Sequence, residues 1–207
     1  MQPLLQSTII LIGLSCGVVL AATPNFYDGF HGLPISVSLY HYKVPNKILQ
    51  AQLLTEMQKS IQEASTKEAK AMKEGKHGTV SATVFVLPQL YVFDKAGNEI
   101  FSRTAESSDL DAQLDRVFSS PAPLQNGKPL HTWLGSLIPD EKSPIIEPDI
   151  TGKFTVLEYW APWCSYCFVK RDQLLMYFKK RPNLHVNWIT VDADITKITG
   201  TNPPSNG

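Results

Sequence analysis

Cys164 and Cys167 stand three positions apart in the run Tyr-Trp-Ala-Pro-Trp-Cys-Ser-Tyr-Cys-Phe at residues 159–168. The remaining cysteine, Cys16, lies in an apolar N-terminal segment. With Cys16 read as part of an export signal, an intramolecular disulfide can join only Cys164 to Cys167. So short a loop constrains the unfolded chain little and makes a weak structural staple. Redox chemistry accounts for the pair better. A thiol must ionise before it attacks a disulfide, and the unpaired N–H groups and dipole of a helix N-terminus favour the thiolate. The pair follows an apolar run and opens a helical stretch, which makes Cys164 the nucleophile. Cys167, one turn on and on the same face, is then the resolving thiol. Half of a zinc site is a second use of Cys-x-x-Cys, but it needs two further ligands. His31, His41, His77, His131 and His185 are scattered singly. A purely structural disulfide is the third reading.

Several elements must position this pair. Phe154 to Trp160 reads as a buried strand, Cys164 to Lys180 as a helix and Leu184 to Val191 as a further strand. Upstream, Ile35, Val37 and Leu39 alternate with Ser36, Ser38 and Tyr40, the period of a half-buried strand that Val44-Pro45-Asn46 ends. From Lys47 to Glu74 the period becomes helical, with Leu53, Leu54, Met57, Ile61 and Ala64 on one face and Gly75 and Gly78 as terminators. Val84 to Leu87 leads into Pro88. Leu90–Phe93 and Asn98–Arg103 then flank the turn Asp94-Lys95-Ala96-Gly97 as a β-hairpin. Ser107, Ser108 and Asp109 cap a short helix carrying Leu110, Leu114, Val117 and Phe118. Prolines at 121, 123, 129, 139, 144 and 148 mark residues 120–148 as a linker or wrapping loop, with an apolar stretch at Trp133–Ile138. Trp133 is assigned to packing there, and residues 199–207 to a disordered tail.

Composition bounds the function. A 207-residue chain with 43% apolar and 18% charged residues can build a real core, in one domain or two small ones. Lys plus Arg and Asp plus Glu balance at 19 each, and no dense basic run occurs, which argues against nucleic acid or an anionic membrane as partner. From Leu4 to Ala22 there is no charged side chain, and Val19 to Ala22 offers small residues where a signal peptidase cuts. Residues 1–22 therefore read as a signal peptide, too short and too interrupted by glycine for a membrane span. The absence of Lys or Arg before it leaves an uncleaved N-terminal anchor as the alternative. The expected location is the periplasm or another extracytoplasmic space, where disulfides persist, with no strong membrane association after cleavage.

The run Phe154-Thr-Val-Leu-Glu-Tyr-Trp-Ala-Pro-Trp-Cys-Ser-Tyr-Cys167 resembles the active-site strand and helix start of the thioredoxin-like superfamily, in which Trp-Ala-x-Trp-Cys-x-x-Cys is characteristic. The resemblance implies an α/β fold, a mixed sheet flanked by helices. It places Glu158 where the family carries a buried carboxylate that moves protons for the second cysteine; a charge at a strand edge is the plainer reading. Leu87-Pro88-Gln-Leu-Tyr-Val-Phe-Asp-Lys-Ala-Gly-Asn-Glu-Ile100 is similar to the family's cis-proline loop and hairpin, which implies that Pro88 and Leu87 face substrate; a simple strand-edge proline is the plainer reading of Pro88. Trp163, with Trp160, then gives core packing and a flat apolar rim around Cys164.

The order of these segments is reversed from the family's. Residues 33–119 would supply the cis-proline hairpin half, 120–148 the linker and 149–198 the cysteine half of one domain over 23–198, circularly permuted or intertwined. Alternatively, 33–119 form a separate module. The implied activity is exported thiol–disulfide exchange, with the Cys164–Cys167 disulfide itself as redox centre and neither bound cofactor nor metal. Its partners would be protein thiol or disulfide substrates and a redox protein that resets the site. The Ser165-Tyr166 dipeptide influences thiolate stability, hence the direction of electron flow. The competing class is a non-catalytic thioredoxin-like binding or assembly module of the cell envelope. The residues are silent on oligomeric state.

Overall fold

The computed structural model describes residues 25–52, 55, 62, 87–104, 109–140 and 152–200. In chain order these form a 3-10 turn (Phe26–Gly29), β1 (Val37–Lys43), α1 (residues 46–52), β2 (Gln89–Phe93), β3 (Glu99–Thr104) and α2 (Leu110–Ser119). They continue with α3 (Leu130–Leu134), β4 (Ile138–Pro139), β5 (Phe154–Trp160), α4 (Ser165–Lys179), β6 (Val186–Asp192) and α5 (Thr196–Thr199).

The architecture is mixed α/β. Six strands form one sheet in the order β3-β2-β5-β6-β1-β4. β5, β6 and β1 are parallel, while β2 pairs antiparallel with β5, β3 with β2 and β4 with β1. β5 and β6 are buried at every position because both faces of the sheet are covered. The upstream strands join this sheet instead of forming their own, and so close the edges that β5 and β6 would otherwise leave open.

Side chains alternate between the two faces. On one face Phe154, Val156, Val186, Trp188, Leu90 and Val92 pack with Leu110 and Leu114 of α2 and Leu174 and Phe178 of α4. The two helices are tied by polar contacts at their outer surface: Tyr177 and Arg181 both donate to Asp115, and Gln173 donates to Asp111. On the other face Leu157, Tyr159, Ile189 and Val191 pack with Leu49 of α1 and with Leu130 and Leu137.

On that second face the stretch read as a linker or wrapping loop wraps the sheet. Residues 120–140 contain α3 and β4, and they close the core. Leu130 is 1% exposed, and burying such a side chain contributes roughly 1.5–3 kcal/mol. Trp133 does pack, against Tyr91 and Tyr159. The segment is pinned to the hairpin: Leu124 N–H donates to Glu99 O, Leu130 N–H to Gly97 O and Lys128 N–H to the Glu99 carboxylate. Glycine is required at 127, since an added Cβ would lie 2.9 Å from Glu99 Cβ. These are contacts distant in sequence, invisible to a local pattern dominated by proline.

Other differences are smaller. Ile35 was counted with the first strand, yet it sits in the preceding turn with its side chain fully exposed, because pairing with β6 starts at Val37↔Val186. The hairpin forms as expected, its turn closed by Asp94, whose carboxylate accepts from Ala96 N, Asn98 N and Asn98 Nδ2. Thr199, assigned to the tail, ends α5, which Gly200 caps at φ +68°. Asp109 is the N-cap of α2, although its carboxylate bonds Gln113 and not the helix backbone. The apolar helix positions Leu53, Leu54, Met57, Ile61 and Ala64, Val84 to Val86, Ser107, Ser108 and the 1–22 segment with Cys16 lie outside the described residues. Among the described residues no helix is long and apolar enough to cross a membrane.

Candidate functional site

β5 ends at Trp160, and Ala161-Pro162-Trp163 turn the chain into α4 through a Cys164 N–H bond to Ala161 O. Cys164 is the N-cap of α4 and Cys167 lies in its first turn. The two sulfurs are joined at 2.07 Å. Cys164 Sγ also accepts the Cys167 backbone N–H at 3.1 Å, a donor that favours negative charge on this sulfur once the bond is reduced. The cysteines differ in access: Cys164 is 7% exposed and Cys167 is fully buried. An incoming sulfur therefore meets Cys164 first.

Glu158 lies two residues before the end of β5, on the face covered by α4. It is 1% exposed in a central strand, so the strand-edge reading does not hold. Its Oε2 accepts the Trp188 indole N–H at 3.1 Å, while Oε1 has no hydrogen-bond partner among the described residues. Burial pushes the carboxyl up to about 8, against the opposing pull of the Trp188 bond and the Arg171 charge. At neutral pH the carboxyl is therefore mostly protonated, and its ionised minority is a base strong enough to take up a proton from a thiol. Glu158 shares a small cavity with Pro88, Leu90, Arg103, Leu110, Lys170 and Leu174. Water centres can occupy about 20 Å³ of it, and one water needs ~10–15 Å³.

The Leu87–Pro88 peptide bond is cis. Pro88 lines the Glu158 cavity, and Leu87 is buried in the same apolar cluster as Cys164 and Cys167. Segments far apart in sequence, Leu87-Pro88 and Glu158 to Cys167, are thus brought together by the β2–β5 pairing. Trp163 is half-buried beside Cys164, its indole N–H donating to Asp194 Oδ1 at 3.2 Å. Trp160 is a core residue, stacked on Phe26 with centroids 3.9 Å apart and an interplanar angle of 8°.

Some contributors had no local signal. Asp194 follows β6 and is buried; it accepts from Thr196 N and Oγ1 as well as Trp163, so the loop after β6 anchors the indole next to the dithiol. Arg171 is 8% exposed, donates to the Phe26 carbonyl and pairs with Asp172 at 2.7 Å, clamping the N-terminal turn onto α4. A buried acid closing an apolar strand, as in Val191-Asp-Ala-Asp194, was the one legible hint. Among the described residues no three His, Cys, Asp or Glu side chains converge in the way a metal cage needs. No protein-family model, no curated protein and no solved structure matches this chain.

Proposed function

We propose that this protein is a thiol–disulfide oxidoreductase of thioredoxin-like fold, with the family's segments in permuted order, acting on protein thiols and disulfides outside the cytoplasm. One observation carries the reading. A cysteine pair able to form a disulfide caps the helix that follows the central strand, and a carboxyl only 1% exposed stands on that same strand. In the reducing direction the Cys164 thiolate attacks a substrate disulfide, breaking its S–S bond and releasing one substrate thiolate. Cys167 then loses its proton, with Glu158 as acceptor, and attacks Cys164 Sγ. The mixed disulfide breaks, the second substrate sulfur leaves as a thiolate that takes its proton from solvent, and two electrons have passed from the protein pair to the substrate. The reverse sequence oxidises a dithiol. Trp163 would form the surface against which substrate docks, with Leu87 and Pro88 buried behind the dithiol, and a separate redox protein would reset the pair.

The test is a redox titration of the purified protein in dithiothreitol or glutathione buffers, following alkylation of Cys164 and Cys167. A reversible two-electron transition near about −270 mV marks a reductant and one near about −120 mV an oxidant. Cys164→Ser should abolish exchange and Cys167→Ala should trap mixed disulfides. A pair that stays oxidised where ordinary exposed disulfides are reduced would falsify this function and leave a binding or assembly module.

A further inference from the structure

Resting on that function, we infer that Glu158, Thr190 and His41 form a proton relay, carrying the proton that Glu158 takes from Cys167 across the sheet to the half-exposed imidazole on β1. The pairing places them in one row: Glu158 is the register partner of Thr190, and Thr190 of His41. Register partners on parallel strands project from the same face about 4.8 Å apart. Thr190 is fully buried, and its Oγ1 lies 2.6 Å from His41 Nδ1. The same hydroxyl has a second acceptor, Tyr40 O, at 3.4 Å.

A hydroxyl has one proton, so these two contacts describe two states. With neutral His41 accepting at Nδ1, Thr190 donates to it. Once His41 is protonated, Nδ1–H donates to Thr190 and the hydroxyl turns to Tyr40 O. Oε1 of Glu158, which has no hydrogen-bond partner among the described residues, is the oxygen left to deliver a proton along the row to Thr190, and one bridging water would make that link. Each step conserves protons: Glu158 gives one to Thr190, Thr190 gives its own to His41 Nδ1, and the half-exposed imidazolium then gives one proton up to solvent.

The competing exit is the cavity. Its wall offers Arg103 and Lys170, two cations that repel an emerging proton and have no acceptor. An imidazole has a ready acceptor and ordinarily titrates near ~6.5. Other groups acting on the row are Trp188, Arg171 and Asp172 at Glu158, and Tyr27, Asp140 and Asp192 near His41. Tyr27 does not compete for the proton: burial and its bond to Asp140 hold its hydroxyl protonated well above the ordinary range.

The experiment is a ¹⁵N NMR titration of the His41 imidazole in the full-length oxidised protein, beside rapid-mixing kinetics of exchange. The relay predicts that the His41 shifts show a second inflection at the Glu158 ionisation, lost in Glu158→Gln and Thr190→Val and retained in Thr190→Ser. It also predicts that Thr190→Val slows release from the mixed disulfide about tenfold or more, with formation of that disulfide unchanged, and that its pH profile flattens. A single His41 inflection in the natural protein, or a second one that survives Thr190→Val, overturns the relay. The NMR arm needs no turnover, so a protein inactive in exchange refutes the proposed function while the relay is still decided.

Discussion

Two polar rows cross the sheet on opposite faces. One is Glu158, Thr190 and His41, under α4; the other is Thr155, Asn187 and Ser38, nearer the start of the parallel strands. Both put fully buried polar side chains into β5 and β6. The first row has a titratable group at each end and sits at the cysteine end of β5. The second consists of neutral groups, and its face is held by Leu157, Tyr159, Leu130 and Leu137. Burial alone therefore does not make a functional row. What distinguishes the first is that burial falls on an ionisable carboxyl, whose proton affinity then moves into the physiological range.

The widest separation between the rows should appear in the pH dependence of stability. Glu158 has a folded value of about 8 against an ordinary 4.5, so the native state holds a proton that the unfolded chain has lost. Its stabilising contribution is complete below about 4.5 and is lost as pH rises toward about 8. Denaturant unfolding of the oxidised protein should show Glu158→Gln flat through this window relative to the natural protein, the two stabilities diverging by on the order of 5 kcal/mol. Parallel slopes would mean the carboxyl is ionised in the fold, and the contrast between the rows would disappear.

Next in size is Leu130→Ala, which should cost ~2–5 kcal/mol at every pH, because it opens a cavity on the face opposite Glu158. A free linker would show no loss. The smallest effect is expected from Thr155→Val. Its hydroxyl is buried and has no hydrogen-bond partner among the described residues, so a methyl of similar shape should change stability by no more than about 1 kcal/mol, leaving the pH profile in place. A shifted profile in this variant would make the second row functional too.

Legibility followed the range of the interactions. The β5 strand, the start of α4 and the hairpin were readable because each is specified by neighbouring residues: an apolar run, the Cys-x-x-Cys pair that follows it, and the turn Asp94 to Gly97. Residues 120–140 were not, since proline erases the period and their order comes from bonds to Glu99 and Gly97 on the hairpin. Asp194, Arg171, Thr190 and His41 could not be recognised singly, because each matters through a partner at least 30 residues away.

By itself, then, the sequence determined the Cys164–Cys167 pair, its place at a helix start and the carboxyl six positions before it, since spacing along a strand and a helix is a local property. Only the tertiary structure decided that the upstream hairpin lies beside β5, that Glu158 is buried with no counter-ion in hydrogen-bond contact among the described residues, and that Thr190 and His41 share its row. Strand order and register are set by which apolar faces can be covered together, and the whole chain has to be packed before that is known.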